Sequence, residues 1–190
     1  MIYHDPGNLR SYRLFEEISD LLKKLISANI MSVPLSSIKK ASLCNGLVVA
    51  LLPHRGGHFA TISSLYGNRV CGPIPAPIVA LHIHRSISSK EVNEIILAYY
   101  GTKRYKEEQQ RDILRIMSIT EHLTGKKLIP VAYPDIASCN KDQLVVPLSM
   151  GPGLLTKKYT EAGCQVAPTL MESSMDLIIS WIIGCVNSVY

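Results

Sequence analysis

Cysteine is present but never paired in the local spacings that signal its use. Cys44, Cys71, Cys139, Cys164 and Cys185 make an odd five, and no two form a C-x-x-C pair. This argues against a disulfide framework and against a closed zinc site, and it sets the expectation of a reducing cytoplasm. Aromatics are also few. Two Phe and one Trp, with Tyr mostly scattered, give no base-stacking platform for nucleic acid. No block of five or six Lys/Arg forms a basic tail. No basic segment followed by an apolar stretch and a cleavage site stands at the N-terminus, so no secretion signal is expected. The longest apolar stretch, Leu177 to Val186, is interrupted by Ser180 and Gly184 and is too short to span a bilayer. Gly151-Pro152-Gly153 offers backbone amides but has no lysine and serine of a nucleotide phosphate loop. No Ser-His-Asp or Cys-His set has recognisable local spacing, which argues against a hydrolase.

What is present suits a globular protein of one domain or two small ones. Hydrophobic residues are 47% and charged residues 18% of 190. A net charge of +5 favours an anionic partner without choosing between nucleic acid, phosphate and carboxylate.

The chain also echoes itself at half its length. Leu47-Val-Val-Ala-Leu-Leu-Pro-His-Arg-Gly56 and Leu144-Val-Val-Pro-Leu-Ser-Met-Gly-Pro-Gly153 are apolar runs entering glycine loops, 97 residues apart. Ile2-Tyr3-His4 and Ala98-Tyr99-Tyr100 are offset by 96, as are Gly67-Asn68-Arg69-Val70 and Gly163-Cys164-Gln165-Val166. His4 thus faces Tyr100, and His58 faces Leu155. Two similar halves, 1–88 and 89–190, with histidines at matching loops of one only, predict one active site in a pseudo-symmetric cleft. An internal duplication can replace a homodimer, so a monomer is expected.

Each half reads strand, helix, strand, strand, short helix, strand, helix. Leu9 to Ile30 is helical by period, with Leu14, Ile18, Leu21, Leu22, Leu25 and Ile26 on one face. Ile30 to Val33 reads as a short strand cut by Pro34, Gly46 to Leu52 as a strand buried on both faces, Phe59 to Leu65 as a short helix, Arg69 to Cys71 as an inner strand and Ile78 to Ile87 as a helix. Ser88 to Glu91 is the polar half-boundary. Ile95 to Tyr100 is a strand, Lys106 to Leu123 a helix capped by Gly125, and Leu128 to Tyr133 and Leu144 to Leu148 are strands. Lys157 to Ala162 is a short helix, Gln165 to Ala167 a strand, and Ser173 to Val186 a terminal helix. This alternation predicts an α/β fold with mostly parallel sheets. Ligands then bind beyond the carboxyl ends of the strands, where His4, His58 and Tyr100 share one rim.

Several side chains carry chemistry in that arrangement. His4 follows a strand stub of three residues; an N-terminal histidine is ordinarily an exposed bystander, and the repeat raises its interest. His58 ends Arg-Gly-Gly-His, whose glycines let backbone approach a ligand closely. His54 is a neighbour on the same loop, a second ligand or base. His82 and His84 diverge on a helix and read as partly buried structural histidines. His122 suits a helix C-terminus. Asp135, after the strand ending at Tyr133, holds a cation, orients a histidine or simply forms a turn after proline. Two imidazoles on one rim take protons or hold a divalent metal in passing, since two protein ligands are fewer than a closed tetrahedral set.

At these residues the sequence resembles a family. Leu-Val-Val-Ala-Leu-Leu-Pro-His-Arg-Gly-Gly-His is similar to the strand and Gly-x-His turn of the CbiX-type sirohydrochlorin chelatases, the class II tetrapyrrole chelatases. Leu-Val-Val-Pro-Leu-Ser-Met-Gly-Pro-Gly-Leu-Leu resembles the same segment without its histidine. Tyr-Tyr-Gly-Thr-Lys-Arg resembles the family's first-strand Gly-His-Gly-Ser/Thr motif with tyrosine for histidine, and Tyr3-His4-Asp5 a shortened copy that keeps it. His4 is followed by Asp5-Pro6 rather than Gly-Ser, and the C-terminal half lacks both histidines. The resemblance implies two fused flavodoxin-like halves around a cleft. It implies that His4 and His58 assist insertion of a divalent metal (cobalt, iron or nickel), itself a substrate with no tightly bound cofactor, into a polycarboxylate tetrapyrrole. His54 is a further metal-binding candidate. Arg10, Arg55, Lys103 and Arg104, with Tyr100, are expected to meet the substrate and its carboxylates. No nucleic acid and no membrane is expected as partner. A non-catalytic relative that only binds tetrapyrrole or metal is the alternative.

Overall fold

The computed structural model describes residues 2–3, 9–26, 29–37, 45–88 and 91–188. His4, Cys44 and positions 89 and 90 of the expected half-boundary lie outside these residues.

The fold is α/β, and every described strand pair is parallel. Strand β1 (Ile2–Tyr3) is followed by helix α1 (Leu9–Leu25), β2 (Val33–Pro34), β3 (Val48–Val49), α2 (Gly57–Tyr66), β4 (Val70–Cys71) and α3 (Ala76–Ile87). Then come β5 (Glu94–Tyr100), α4 (Lys106–Thr124), β6 (Lys127–Tyr133), β7 (Gln143–Pro147), α5 (Leu154–Glu161), α6 (Leu170–Ser173) and α7 (Met175–Asn187). Strands β6-β5-β7 form one sheet; β1 pairs with β2, and β3 with β4. β5 lies in the middle because Ile95, Ile96, Leu97 and Ala98 are apolar on both faces and are buried on both. Pro130, which has no N–H to give, sits in β6, which among the described strands pairs with β5 alone.

Val48 pairs with Val70, and Val145 makes an isolated bridge to Val166. Leu52 N–H donates to the Ala50 carbonyl at 2.9 Å, and Ser149 N–H to the Pro147 carbonyl at 2.9 Å.

Three expectations are corrected. First, the strand expected over Gly46 to Leu52 is regular at Val48–Val49 and continues through single backbone bonds, Ala50 N–H to the Cys71 carbonyl and Ile74 N–H to the Leu52 carbonyl, each at 2.8 Å, and the one over Gln165 to Ala167 is reduced to its bridge. Second, α1 ends at Leu25, and its inner face is Ser11, Phe15, Ile18, Ser19 and Leu22, while Leu21 and Leu25 are exposed. Phe15 and the small serines set that face, since Ser11 Oγ donates to the Pro152 carbonyl and so presses the helix onto the loop after β7. Third, two disulfides are present among the described residues, Cys71–Cys185 and Cys139–Cys164. The partners lie 114 and 25 residues apart, so local spacing did not reveal them. Cysteines bridged in this way give no sign of a reducing compartment.

His82 is fully buried on α3 rather than partly. Its Nδ1 lies 3.1 Å from Ser174 Oγ and 3.2 Å from Ser173 Oγ, at the joint of α6 and α7, and its Nε2 has no partner among the described residues. Burial, helped by the nearby Arg85 guanidinium, lowers its pKa to about 4. The unfolded chain binds this proton below about pH 6.5 while the native state refuses it, so stability falls as pH drops from there towards 4. Between about pH 7.5 and pH 5 the loss from this group is about 2 kcal/mol. Urea midpoints measured at both pH values show it, and His82→Leu flattens the difference.

Candidate functional site

A cavity of about 380 Å³ opens beyond the carboxyl ends of β3, β5 and β7. Its walls come from the turns that follow those strands, from the first residues of α2 and α5, and from Phe15 and Gln109 on α1 and α4. This is where parallel α/β sheets hold ligands, because the loops there are free of the strand ladders. The lining is largely apolar, with Leu52, Phe59, Leu148 and Met150 among it. Among the described lining residues, the titratable side chains are His54, His58 and Tyr100.

His58 stands in the first turn of α2, with an exposed side chain. It was expected in a loop. The helix begins at Gly57 with Gly56 as its cap, and Gly56 makes no side-chain capping bond, so no cap residue announced the start. His54 lies on the turn after β3, its ring edge-on to Tyr99 at 6.0 Å. Burial lowers its pKa, opposed by the Arg55 carbonyl and by Asp112.

Arg55 is turned away from the cavity. Its guanidinium forks onto Asp112, with Nη2 to Oδ1 at 2.6 Å and Nε to Oδ2 at 3.0 Å, and its backbone N–H donates to Oδ2 at 2.7 Å. Burial pushes the Asp112 carboxyl up, and the Arg55 bonds outweigh it and hold the group below the usual carboxylate range. The pair ties the loop between β3 and α2 to α4.

The loop after β7 is fitted closely to α1. A Cβ on Gly151 would lie 2.6 Å from Ser11 Oγ, inside contact distance. Gly151→Ala therefore pushes α1 off the cavity wall and lowers stability by about 1–3 kcal/mol, read as a fall in thermal midpoint. An unchanged midpoint contradicts this packing.

No family model matches the sequence, and no curated protein does. Solved structures do. The sirohydrochlorin chelatase SirB from Bacillus subtilis subspecies spizizenii in complex with cobalt superimposes with a TM-score of 0.65 at 13% identity, over 89% of this chain and 85% of that one. SirB from Bacillus subtilis with Fe3+ gives 0.63 at 13% identity, over 97% and 93%. A multi-domain protein from Deinococcus radiodurans with structural similarity to chelatases gives 0.58 at 8% identity, over 95% of this chain and 53% of that one.

The chain has the CbiX/SirB-type chelatase fold. On that fold the residues singled out by sequence fall into separate groups. His54, His58 and Tyr100 are brought together at the cavity. Tyr100 ends β5, stacks edge-on to Tyr133 at 5.8 Å, and has its pKa raised by burial against a bond from the Leu155 backbone. Lys103 and Arg104 are exposed on the loop after β5, Arg104 over the Tyr105 ring. Arg10 is paired with Glu172 at 2.6 Å, and Arg55 with Asp112. Asp135 is exposed beyond β6, and His84 and His122 are exposed on α3 and α4. No three His, Cys, Asp or Glu side chains gather as a metal site among the described residues. No described helix is long and apolar enough to cross a membrane.

Sequence reading missed Phe15, Gln109 and Asp112. The last two carry a weak signal, being polar residues i and i+3 in the first turns of α4. The first turns of that helix face the turns after β3 and β5, which only the fold reveals.

Proposed function

We propose that the chain inserts a divalent metal, cobalt, iron or nickel, into a polycarboxylate tetrapyrrole. The observation that carries this is the placing of His54 and His58 in one apolar cavity at the strand ends of a chelatase fold. Apolar walls suit the face of a flat macrocycle. Insertion releases two pyrrole N–H protons for each metal ion that enters, with no change of oxidation state. His58 serves as proton acceptor and transient metal ligand, with His4 as its partner in the same role by the sequence resemblance. A cavity whose described residues gather no set of three ligands holds the metal weakly, which lets it pass to the macrocycle. Lys103 and Arg104 meet carboxylates at the mouth, since Arg10 and Arg55 already have acidic partners.

The test has two steps. Titrating the protein into sirohydrochlorin under anaerobic conditions shifts the macrocycle absorbance if the cavity binds it. Adding Co2+, Ni2+ or Fe2+ then gives metal insertion faster than in protein-free buffer. Binding without acceleration assigns the chain to a carrier instead, and no response at either step leaves the fold alone as the likeness.

A further inference from the structure

One ring nitrogen of His54 makes two contacts that exclude each other. Its Nδ1 lies 2.9 Å from the Arg55 carbonyl and 3.2 Å from Gln109 Nε2. A nitrogen of a neutral imidazole is a donor or an acceptor, never both. Hence Nδ1 either gives a proton to the carbonyl or receives one from the amide.

The amide cannot turn to settle the conflict. Gln109 Oε1 accepts from Thr102 N–H at 3.0 Å, and its Nε2 donates to the Tyr100 carbonyl at 2.6 Å. Flipping the group would set oxygen against oxygen and N–H against N–H. The second Nε2 proton therefore faces His54. Gln109 is 4% exposed, so an N–H left there without an acceptor goes unmet by water as well. Orphaned buried N–H groups are rarer than under-satisfied carbonyls, and the Arg55 carbonyl is the cheaper group to leave short.

We propose that Gln109 holds His54 in the tautomer with Nδ1 bare and Nε2 protonated, so that His54 offers the cavity a hydrogen-bond donor and not a lone pair. The ligand group it takes is an acceptor oxygen. Under the reading above, on which this last step rests, that is a carboxylate of the macrocycle and not the metal. Gln109 is then a positioning residue, and the two histidines of the cavity divide the work: His58 exchanges proton and metal, while His54 grips the substrate.

The test is nitrogen NMR of the imidazole rings in histidine-labelled protein, with His54→Phe to assign the signal. The wild type carries its proton on Nε2. Gln109→Leu removes the donor and moves the proton to Nδ1, towards the Arg55 carbonyl. Gln109→Met, which keeps the side-chain length without a donor should the leucine variant fail to fold, also moves the proton to Nδ1. A wild-type proton on Nδ1, or a tautomer that ignores both substitutions, overturns the proposal. This readout needs no turnover, so it can fail while the chelatase reading stands, and the reverse. In the insertion assay, His54→Phe raises KM for the macrocycle about tenfold with kcat nearly unchanged, the loss of one hydrogen bond. A fall in kcat at constant KM puts His54 on the metal or the proton and contradicts the grip.

Discussion

Replacing His58 by alanine slows metal insertion by about 10²–10⁴-fold, the range over which a positioned proton acceptor acts. The loss falls on kcat, because the apolar walls that bind the macrocycle are untouched. The core is unaffected, since the His58 side chain is exposed in the first turn of α2 and lies outside the buried core. Free imidazole added to His58→Ala restores part of the rate by occupying the vacated space. The measurement is steady-state absorbance of the metallated product for wild type, His58→Ala and His58→Ala with imidazole. Wild-type kcat in the variant removes His58 from the chemistry. The contrast with His54→Phe, whose effect is on KM, separates the two residues more sharply than either variant alone.

Opening the Cys71–Cys185 bridge lowers stability by about 4–5 kcal/mol in the chain-entropy account, because it closes so long a stretch of chain. Its ends are β4, in the β3–β4 pair, and the buried C-terminal part of α7. In the folded state both ends stay packed in place, so the effect acts chiefly on the unfolded chain, which gains freedom. The shorter Cys139–Cys164 loop is worth about 3.5 kcal/mol by the same reasoning. Urea unfolding of Cys71→Ser against wild type shows the difference as a midpoint drop of roughly 2 M. Reductant added to Cys139→Ser, whose other bridge is already absent, lowers that variant's midpoint by the same amount. A midpoint unmoved by reductant shows that the bridge does not form in solution.

The strongest elements were legible in the sequence because their pattern is long. β5, β6 and β7 and helices α4 and α7 carry runs that only one secondary structure satisfies, and Gly125 closes α4 in the left-handed conformation with φ 65°. The short pairs were harder. The apolar run around Val48 looked like a full strand because it is buried, yet burial of a run does not oblige every residue to join a ladder. The starts of α2 and α5 were read late for a common reason. Both follow glycine caps, Gly56 and Gly153, without a capping side chain, so His58 was placed on a loop and stands on a helix. At the site, histidine was easy to notice because it titrates. Gln109 was not, since its role comes from three partners on two other loops. Arg55 was assigned to substrate from its charge, and the charge is already met by Asp112 across 57 residues of sequence. The disulfides failed for the same cause: contact between distant positions leaves no local spacing.

The most direct measurement is the initial rate of Co2+ insertion into sirohydrochlorin, followed anaerobically by absorbance at increasing protein concentration. Catalysis at the His54–His58 cavity predicts a rate that rises in proportion to protein and flattens to background when His58 is replaced. A rate equal to that in protein-free buffer at every concentration, with macrocycle bound, contradicts it.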